Sequence, residues 1–187
     1  MSSSTRDLRA IALASLFAFP GVALSQDIPG WYVGFGIGQT QFKDACNGLS
    51  GSCDDADTGG KLLGGYQFSK NFDLELAYAD LGQAKGGGAT FGAKGFEATG
   101  VGMLPLGGGF SALARGGLFS WKADLKAPAG STDATGTDLT YGLGVKFDFN
   151  RDFSARLEWQ RYKDVGDQNK TGQSNIDFIG ASLVYRL

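Results

Sequence analysis

Few residues in this sequence of 187 have the types and spacing that catalysis requires. Histidine, the usual general base near neutral pH, is absent from the sequence. Ser182 could act as a nucleophile if it met a lysine, but a small serine in a strand more often serves packing. The stretch GFGIGQ resembles a nucleotide-binding loop, yet it lies inside a predicted strand and precedes no helix. We therefore expect no enzymatic activity, no catalytic residue and no cofactor.

The two cysteines, Cys46 and Cys53, flank NGLSGS, a stretch of residues that turn easily. In an oxidising compartment they would close a small disulfide loop. The stabilisation would be modest because the ring is short. A metal site is the competing interpretation, but the sequence has no histidine and no third cysteine to complete a tetrahedral set. We predict a disulfide and no metal site.

Seven charged residues carry the remaining chemistry, and ion pairing is the chemistry that suits them. Each falls within a segment in which apolar residues alternate with polar or small ones. Four are bases and three are acids: Lys61, Arg115, Lys146, Arg156, Glu75, Glu97 and Glu158. Because they share the polar face of the alternation, opposite charges on adjacent strands should pair.

Strands must position these charges, and the alternation predicts eight of them. The segments are 31–42, 61–68, 72–82, 95–104, 110–124, 139–149, 153–162 and 178–187. In the fifth segment, the sequence does not decide which residues after Gly116 face inward. Phe119 and Trp121 fall on the same face as Arg115, although a bulge at Gly116-Gly117 would reverse this, and the sequence allows both.

The two faces of these strands indicate what surrounds them. A soluble sandwich or barrel would bury the apolar face and show the polar face to water. Here the polar face is mostly Gly, Ala, Ser and Thr with scattered charges, which suits the narrow interior of a barrel. The aromatic and aliphatic face then points outward to lipid. We predict an all-β protein, an eight-stranded antiparallel up-and-down transmembrane β-barrel.

The links between the predicted strands support this interpretation. Links after the second, fourth and sixth strands are short, whereas those after the others are longer and hydrophilic, such as KDACNGLSGSCDDAD and KAPAGSTDATGTD. Short periplasmic turns and long external loops are typical of outer-membrane barrels. At the N-terminus, Arg6 and Arg9 precede an apolar run, and Ala23 and Ser25 fit a cleavage site. We expect residues 1–25 to be a signal peptide and residues 26–187 to form the barrel.

Four stretches carry a resemblance to a known family. KLLGGYQFSKNFDLELAYADLG, LARGGLFSWKAD, ARLEWQRYKDVGD and SLVYRL resemble the transmembrane domain of the outer membrane protein A (OmpA) family. The resemblance implies an eight-stranded barrel in a Gram-negative outer membrane. Members of that family often continue into a peptidoglycan-binding domain, and we expect this chain to lack one because it stops at the last strand.

The resemblance also implies a salt-bridge network inside the barrel, which in the family plugs the lumen and could act as a gate. Glu75 and Arg156 keep the acid and the base of that network. Lys146 stands where the family more often has an acid, and Val101 stands where it has a lysine, so the pairing must be rearranged. Eight strands leave room only for side chains. A structural network and a gated pore both remain open.

The final strand, FIGASLVYRL, must pair with the first to remove both edges of the sheet. Its end resembles the signal that the outer-membrane assembly machinery reads. Tyr185 fits that signal, whereas Leu187 replaces the usual phenylalanine.

The function we expect is a structural role in the envelope with surface loops on display; the alternatives are a small pore and an adhesion or host-interaction module. We expect outer-membrane lipid, lipopolysaccharide, the assembly machinery and periplasmic chaperones as partners of a monomeric protein. The net charge of −2 and the lack of a basic cluster indicate no nucleic acid.

Overall fold

The computed structural model describes residues 29–43, 53–128, 130–167 and 171–187. It contains eight long antiparallel strands: β1 Gly30–Phe42, β2 Ala56–Ser69, β3 Phe72–Gly86, β4 Ala89–Gly107, β5 Phe110–Ala127, β6 Gly130–Asp148, β7 Phe153–Asp167 and β8 Gly172–Arg186. The predicted signal peptide and Cys46 lie outside the described residues, so both the signal and the disulfide remain predictions.

Each long strand pairs with its neighbours in sequence, and β8 pairs with β1 to close the barrel. The closing seam runs from Tyr32 opposite Arg186 to Phe42 opposite Ile176. Beyond β8 the Leu187 amide donates a hydrogen bond to the Trp31 carbonyl oxygen at 2.9 Å. The eight-stranded up-and-down barrel is confirmed, and its last residues are held by the first strand. Over the described residues, no helix is long and apolar enough to cross a membrane.

The outer face of the barrel is apolar along its middle. Phe96 and Leu62 are 69% and 66% exposed, whereas inward neighbours such as Glu97 and Lys61 are buried. Exposure of this kind suits a surface that meets hydrocarbon rather than water. Outward aromatic rings frame the apolar band at both ends. Their edge-on pairs are Trp31 with Tyr66 and Tyr66 with Phe68 at one end, and Tyr78 with Phe96 and Tyr141 with Trp159 at the other.

The predicted difference between the two rims is only partly correct. Short turns join β2 to β3, β4 to β5 and β6 to β7 at one rim, as expected. At the other rim the predicted loops after β3 and β5 are wrong. Gly87 and Gly88, both with positive φ, form a tight turn between β3 and β4. The pairing of β5 with β6 continues to Ala127 opposite Gly130. The stretch after β5 holds three threonines, Thr132, Thr135 and Thr137, and threonine favours strands even where it is exposed.

The four strands β3 to β6 therefore rise as a wall above the rest of the barrel. β6 pairs with β5 up to Gly130 but with β7 only from Thr140, which lies opposite Tyr162. Just beyond Tyr162 the register of β7 shifts, and Asp164 has a φ of 53°. Within the described part of the chain, residues 130–139 thus keep one edge that no strand pairs. At the opposite edge of the wall, the short strand Cys53–Asp54 pairs with the end of β3.

The structure also answers the question of parity in β5. The register between β4 and β5 runs without a shift past Gly117, which lies opposite Thr99. No bulge reverses the faces there, and Phe119 and Trp121 point inward with Arg115. Aromatic rings and a guanidinium group therefore share one lumen.

Candidate functional site: the filled barrel interior

The middle of the lumen is occupied by a network of ion pairs centred on Arg115. Its guanidinium contacts three carboxylates, from Glu75, Glu97 and Glu158. The nitrogen–oxygen distances to Glu97 and Glu158 are 3.3 and 3.1 Å, and the Arg115 side chain is fully buried. Three acids around one base compensate the cost of removing that base from water.

A second base, Arg156, shares Glu75 with Arg115. It lies 2.6 Å from the second carboxylate oxygen of Glu75 and 3.9 Å from Asp73. The Tyr32 hydroxyl donates a 3.0 Å hydrogen bond to that same oxygen of Glu75. The guanidinium carbon lies 5.1 Å from the centre of the Tyr32 ring, a distance that suits a cation–π contact. Glu75 thus joins the two arginines into one unit.

Lys61 completes the network beside Gln160. The Lys61 ammonium lies 2.9 Å from Glu97 and donates a hydrogen bond to the Gln160 side-chain oxygen at 2.5 Å. The Gln160 amide nitrogen donates to Glu97 at 2.8 Å and to the Thr140 hydroxyl at 2.7 Å. A neutral amide therefore bridges the charges, which satisfies both its donor and its acceptor.

The structure brings six of the seven predicted residues together: Lys61, Glu75, Glu97, Arg115, Arg156 and Glu158. Lys146 points inward but stands apart, because its ammonium pairs with Asp148 at 2.9 Å near the short-turn rim. A cavity of about 20 Å³ at this rim is lined by Lys146, Asp148 and Arg186, among others.

Asp73, Tyr32 and Gln160 are interior residues that the sequence prediction missed. Asp73 is two positions before Glu75 and shares its face, so alternation was a sufficient signal for it. Tyr32 and Gln160 were missed because only charged residues were counted as candidates. With Asp73 included, the network holds three bases and four acids, and Lys146 brings the inward bases to four.

The lumen above this network is apolar, which corrects the prediction of a small and polar interior face. A cluster of buried residues fills it: Phe42, Ala79, Leu81, Ala84, Phe91, Ala93, Phe119, Trp121, Ala123, Ala134, Tyr162, Val165, Ile176 and Phe178. Phe119 and Tyr162 have ring centres 4.6 Å apart, and Phe42 meets Phe91 edge-on at 5.8 Å. Three rings here, from Phe42, Phe119 and Tyr162, are 0% exposed.

The reason for the apolar cluster is that the alternation changes sense along the strands. In β5 the outward side chain at Leu118 is apolar, but the next outward residues are Ser120 and Lys122, while Phe119 and Trp121 point inward. A strand that leaves hydrocarbon and enters water must turn its polar side outward. Above the aromatic band the barrel is therefore built like a soluble one, with an apolar core.

Glycine makes room for one member of the network. An added Cβ at Gly65, which faces inward on β2, would overlap the Tyr32 ring. We predict that Gly65→Val displaces Tyr32 from Glu75 and lowers the free energy of unfolding by about 1–3 kcal/mol. Urea unfolding in lipid vesicles measures this. Gly64→Val is the matched control, since its Cβ would lie 3.7 Å from the nearest atom and face lipid. Equal losses in the two variants would contradict the prediction.

A further ion pair lies on the outer face, above the Trp159 end of the aromatic band. Arg161 donates two hydrogen bonds to the Asp177 carboxylate, at 2.6 and 2.7 Å. These bonds hold the pKa of Asp177 below its usual value. Because the folded pKa is depressed, the stabilisation is present above the unfolded pKa and is lost as the pH falls through the folded pKa.

The predicted assembly-signal residues lie at the short-turn rim. The Tyr185 ring faces outward and packs against Phe153, with ring centres 4.9 Å apart. Leu187, at the end of the chain, is 73% exposed. Both side chains are therefore accessible from outside the barrel.

Comparison with known proteins agrees with this geometry. The family model described as "OmpA-like transmembrane domain" matches residues 26–187. Outer membrane protein A of Klebsiella aerogenes is 30% identical over 189 residues, which cover 95% of this chain and 53% of that protein. The chain thus spans about half the length of this curated relative.

Solved structures show the same fold at low identity. Neisserial surface protein A superposes with a TM-score of 0.68 at 10% identity, covering 84% of this chain and 97% of that one. Ail, the attachment invasion locus protein of Yersinia pestis, gives a TM-score of 0.58 at 17% identity, covering 86% and 100%. At these identities the likeness concerns the barrel and not its activity.

Proposed function

The chain belongs to the family of OmpA-like transmembrane domains, and from this premise we propose that its barrel is a structural element of the outer-membrane envelope. The observation that carries the proposal is the filled interior. Arg156, Gln160 and Glu75, in the middle of the lumen, are at most 1% exposed. An apolar outer face and a closed, side-chain-filled lumen suit a protein that spans the membrane without transporting a solute.

The test of this role is the integrity of the envelope. Cells that lack the gene are expected to become more sensitive to detergent, and the full chain should restore resistance. A variant in which the wall of β3 to β6 is shortened from its tips, at the turns 87–88 and 128–130, should restore resistance as well. The reason is that the structural role belongs to the barrel itself. Normal resistance in the deletion strain would overturn the structural proposal.

We also propose how the chain reaches its membrane. Residues 1–25 serve as the export signal, and the family match begins at residue 26, which supports this boundary. Periplasmic chaperones and the assembly machinery then act on the barrel, with Tyr185 and Leu187 as the signal that the machinery reads. The protein works as a monomer among lipid and lipopolysaccharide.

We propose no catalytic activity for this barrel. The relatives that it matches are outer-membrane barrel proteins rather than enzymes. The absence of histidine from the sequence supports the proposal, since the common general base is missing.

The pore is the alternative that the filled lumen disfavours. We predict that the purified protein in planar bilayers gives no discrete conductance, and that Arg156→Ala gives none either. Truncating Arg156 opens space in the network, but the apolar cluster above it still fills the lumen. An open porin in the same bilayers serves as the positive control. Resolved current steps from the unaltered protein would establish a pore.

Surface interaction is the second candidate, and one observation favours it. Over the described residues, the 130–139 edge of β6 has no strand partner, and an unpaired edge can accept an extended peptide as an added strand. The stretch lacks lysine and proline, which commonly protect such edges. Exchanging residues 125–135 for a tight turn should reduce adhesion to host cells if this role is correct.

A further inference from the structure

A groove of about 790 Å³ runs along the outer face of the barrel. Its middle is Ala181 on β8, which lies opposite Leu157 on β7 and Ile37 on β1. Leu143 and Trp159 line the groove on one side, and Gln39 lies near its upper end. The volume falls within the roughly 300–1,000 Å³ of small-molecule sites in proteins.

A small side chain, that of Ala181, lines the middle of the groove. Along the outer face of β8, Ala181 stands between Ile179 and Leu183, so a methyl group takes the place of a larger side chain. The neighbours across both strand pairs, Leu157 and Ile37, are large and project outward. The groove is therefore a gap among the large outward side chains of β1, β7 and β8, although the outward residues 98, 100 and 102 of β4 and 112, 114 and 116 of β5 are small as well.

The position of the groove points to an acyl chain as the occupant. The outward side chains that line it are mostly apolar and lie within the band that meets hydrocarbon. The groove extends from mid-strand to Trp159, which belongs to the belt of aromatic side chains farther from the short turns. Because short turns face the periplasm in outer-membrane barrels, this end lies in the outer leaflet.

Cations above the groove indicate an anionic headgroup. Arg161 is the next outward residue of β7 after Trp159, and its guanidinium lies 5.4 Å from the centre of that ring. Lys163 and Lys43 also lie at this rim. Arg161 and Lys43 share Asp177, and Lys163 pairs with Asp164, so these ion pairs of the described residues hold three bases and two acids. A phosphate near Arg161 would balance the remaining charge.

We propose that this groove is a binding site for lipid A, with one acyl chain over Ala181 and a phosphate beside Arg161. Lipid A is the phosphorylated, multiply acylated glycolipid of the outer leaflet, so it offers both groups on one molecule. The inference rests on the outer-membrane location and not on the structural role, so either can fail without the other.

The test is a titration of the refolded full chain with lipid A, followed by native mass spectrometry. Ala181→Phe fills the groove and should weaken binding about tenfold. Arg161→Gln removes the cation and should weaken it about threefold to fivefold. Lipid A without its phosphates should bind the unaltered protein as weakly as lipid A binds Arg161→Gln. Heat-modifiable gel mobility verifies that each variant folds.

Matched controls lie on the other side of the barrel. Ala98 is a small outward residue of β4, and Lys122 is an outward base of β5, both outside the groove. Ala98→Phe and Lys122→Gln should bind lipid A as the unaltered protein does. Equal binding of phosphatidylglycerol and lipid A would overturn the proposal, as would unchanged binding in Ala181→Phe or an equal loss in the controls. If Ala181→Phe did not fold, Ala181→Leu would take its place.

Discussion

Replacing Arg115 by methionine should lower the free energy of unfolding by about 3–5 kcal/mol, the range for breaking a buried ion pair by removing one partner. Arg115 is fully buried and contacts three carboxylates, so its loss leaves negative charge in the lumen without its central base. Methionine has similar length and no charge, which limits the effect of lost packing. The predicted loss is therefore mainly electrostatic.

The loss of Arg115 should not affect the three carboxylates equally. Glu75 keeps Arg156, and Glu97 keeps Lys61. Among the described residues, Arg115 is the one base in ion-pair contact with Glu158. We expect the double variant Arg115→Met, Glu158→Gln to recover part of the stability, because it removes the carboxylate that has lost its partner.

Urea unfolding of the refolded protein in phospholipid vesicles, followed by tryptophan fluorescence, gives these free energies. Arg151→Met is the matched control, since Arg151 is exposed at the turn between β6 and β7 and should cost less than about 0.5 kcal/mol. If Arg115→Met is as stable as the control, the network does not stabilise the barrel. If the double variant is no better than the single one, Glu158 does not depend on Arg115.

Much of this site follows from the sequence, because alternation decides which face each residue occupies. That rule places all seven predicted charges inside the barrel. It does not give the partner of each charge, since pairs such as Arg156 with Glu75 join residues 81 positions apart across the lumen. Lys146 shows the difference. Its face is correct, but its height near the rim brings it to Asp148 instead of the network.

Two features of the structure could not be predicted from the alternation of apolar and polar residues alone. Hydrophilic stretches were predicted to be loops, yet residues 122–127 and 130–135 pair as strands, because strand preference and pairing do not require apolar side chains. The interior face was predicted to be mostly small and polar with scattered charges, and inward aromatic rings were left open for β5 alone. Where a strand leaves the bilayer, its side chains still alternate between the two faces, but the apolar ones now point inward. Phe119 and Trp121 mark that point. Both predictions were wrong because they assumed that the barrel strands lie entirely within the membrane.

That exchange of faces leads to the second large effect, expected on replacing Phe119 by alanine. The Phe119 side chain is 0% exposed and its ring centre lies 4.6 Å from that of Tyr162. Removing a buried phenylalanine ring costs about 3–5 kcal/mol when the site cannot collapse. A closed sheet holds the surrounding backbone in place, so we expect little collapse and a loss in the upper part of this range.

Phe96→Ala is the comparison that separates a core from a lipid-facing surface. Phe96 lies across the pair of β4 and β5, opposite Ser120, and its side chain is 69% exposed on the outer face. Its truncation loses contact with lipid but leaves no internal cavity, so the expected cost is about 1–2 kcal/mol. The same urea titration measures both variants. Equal costs would mean that the ring of Phe119 is not enclosed. The barrel would then have no apolar core above the membrane, and its lumen there would be polar.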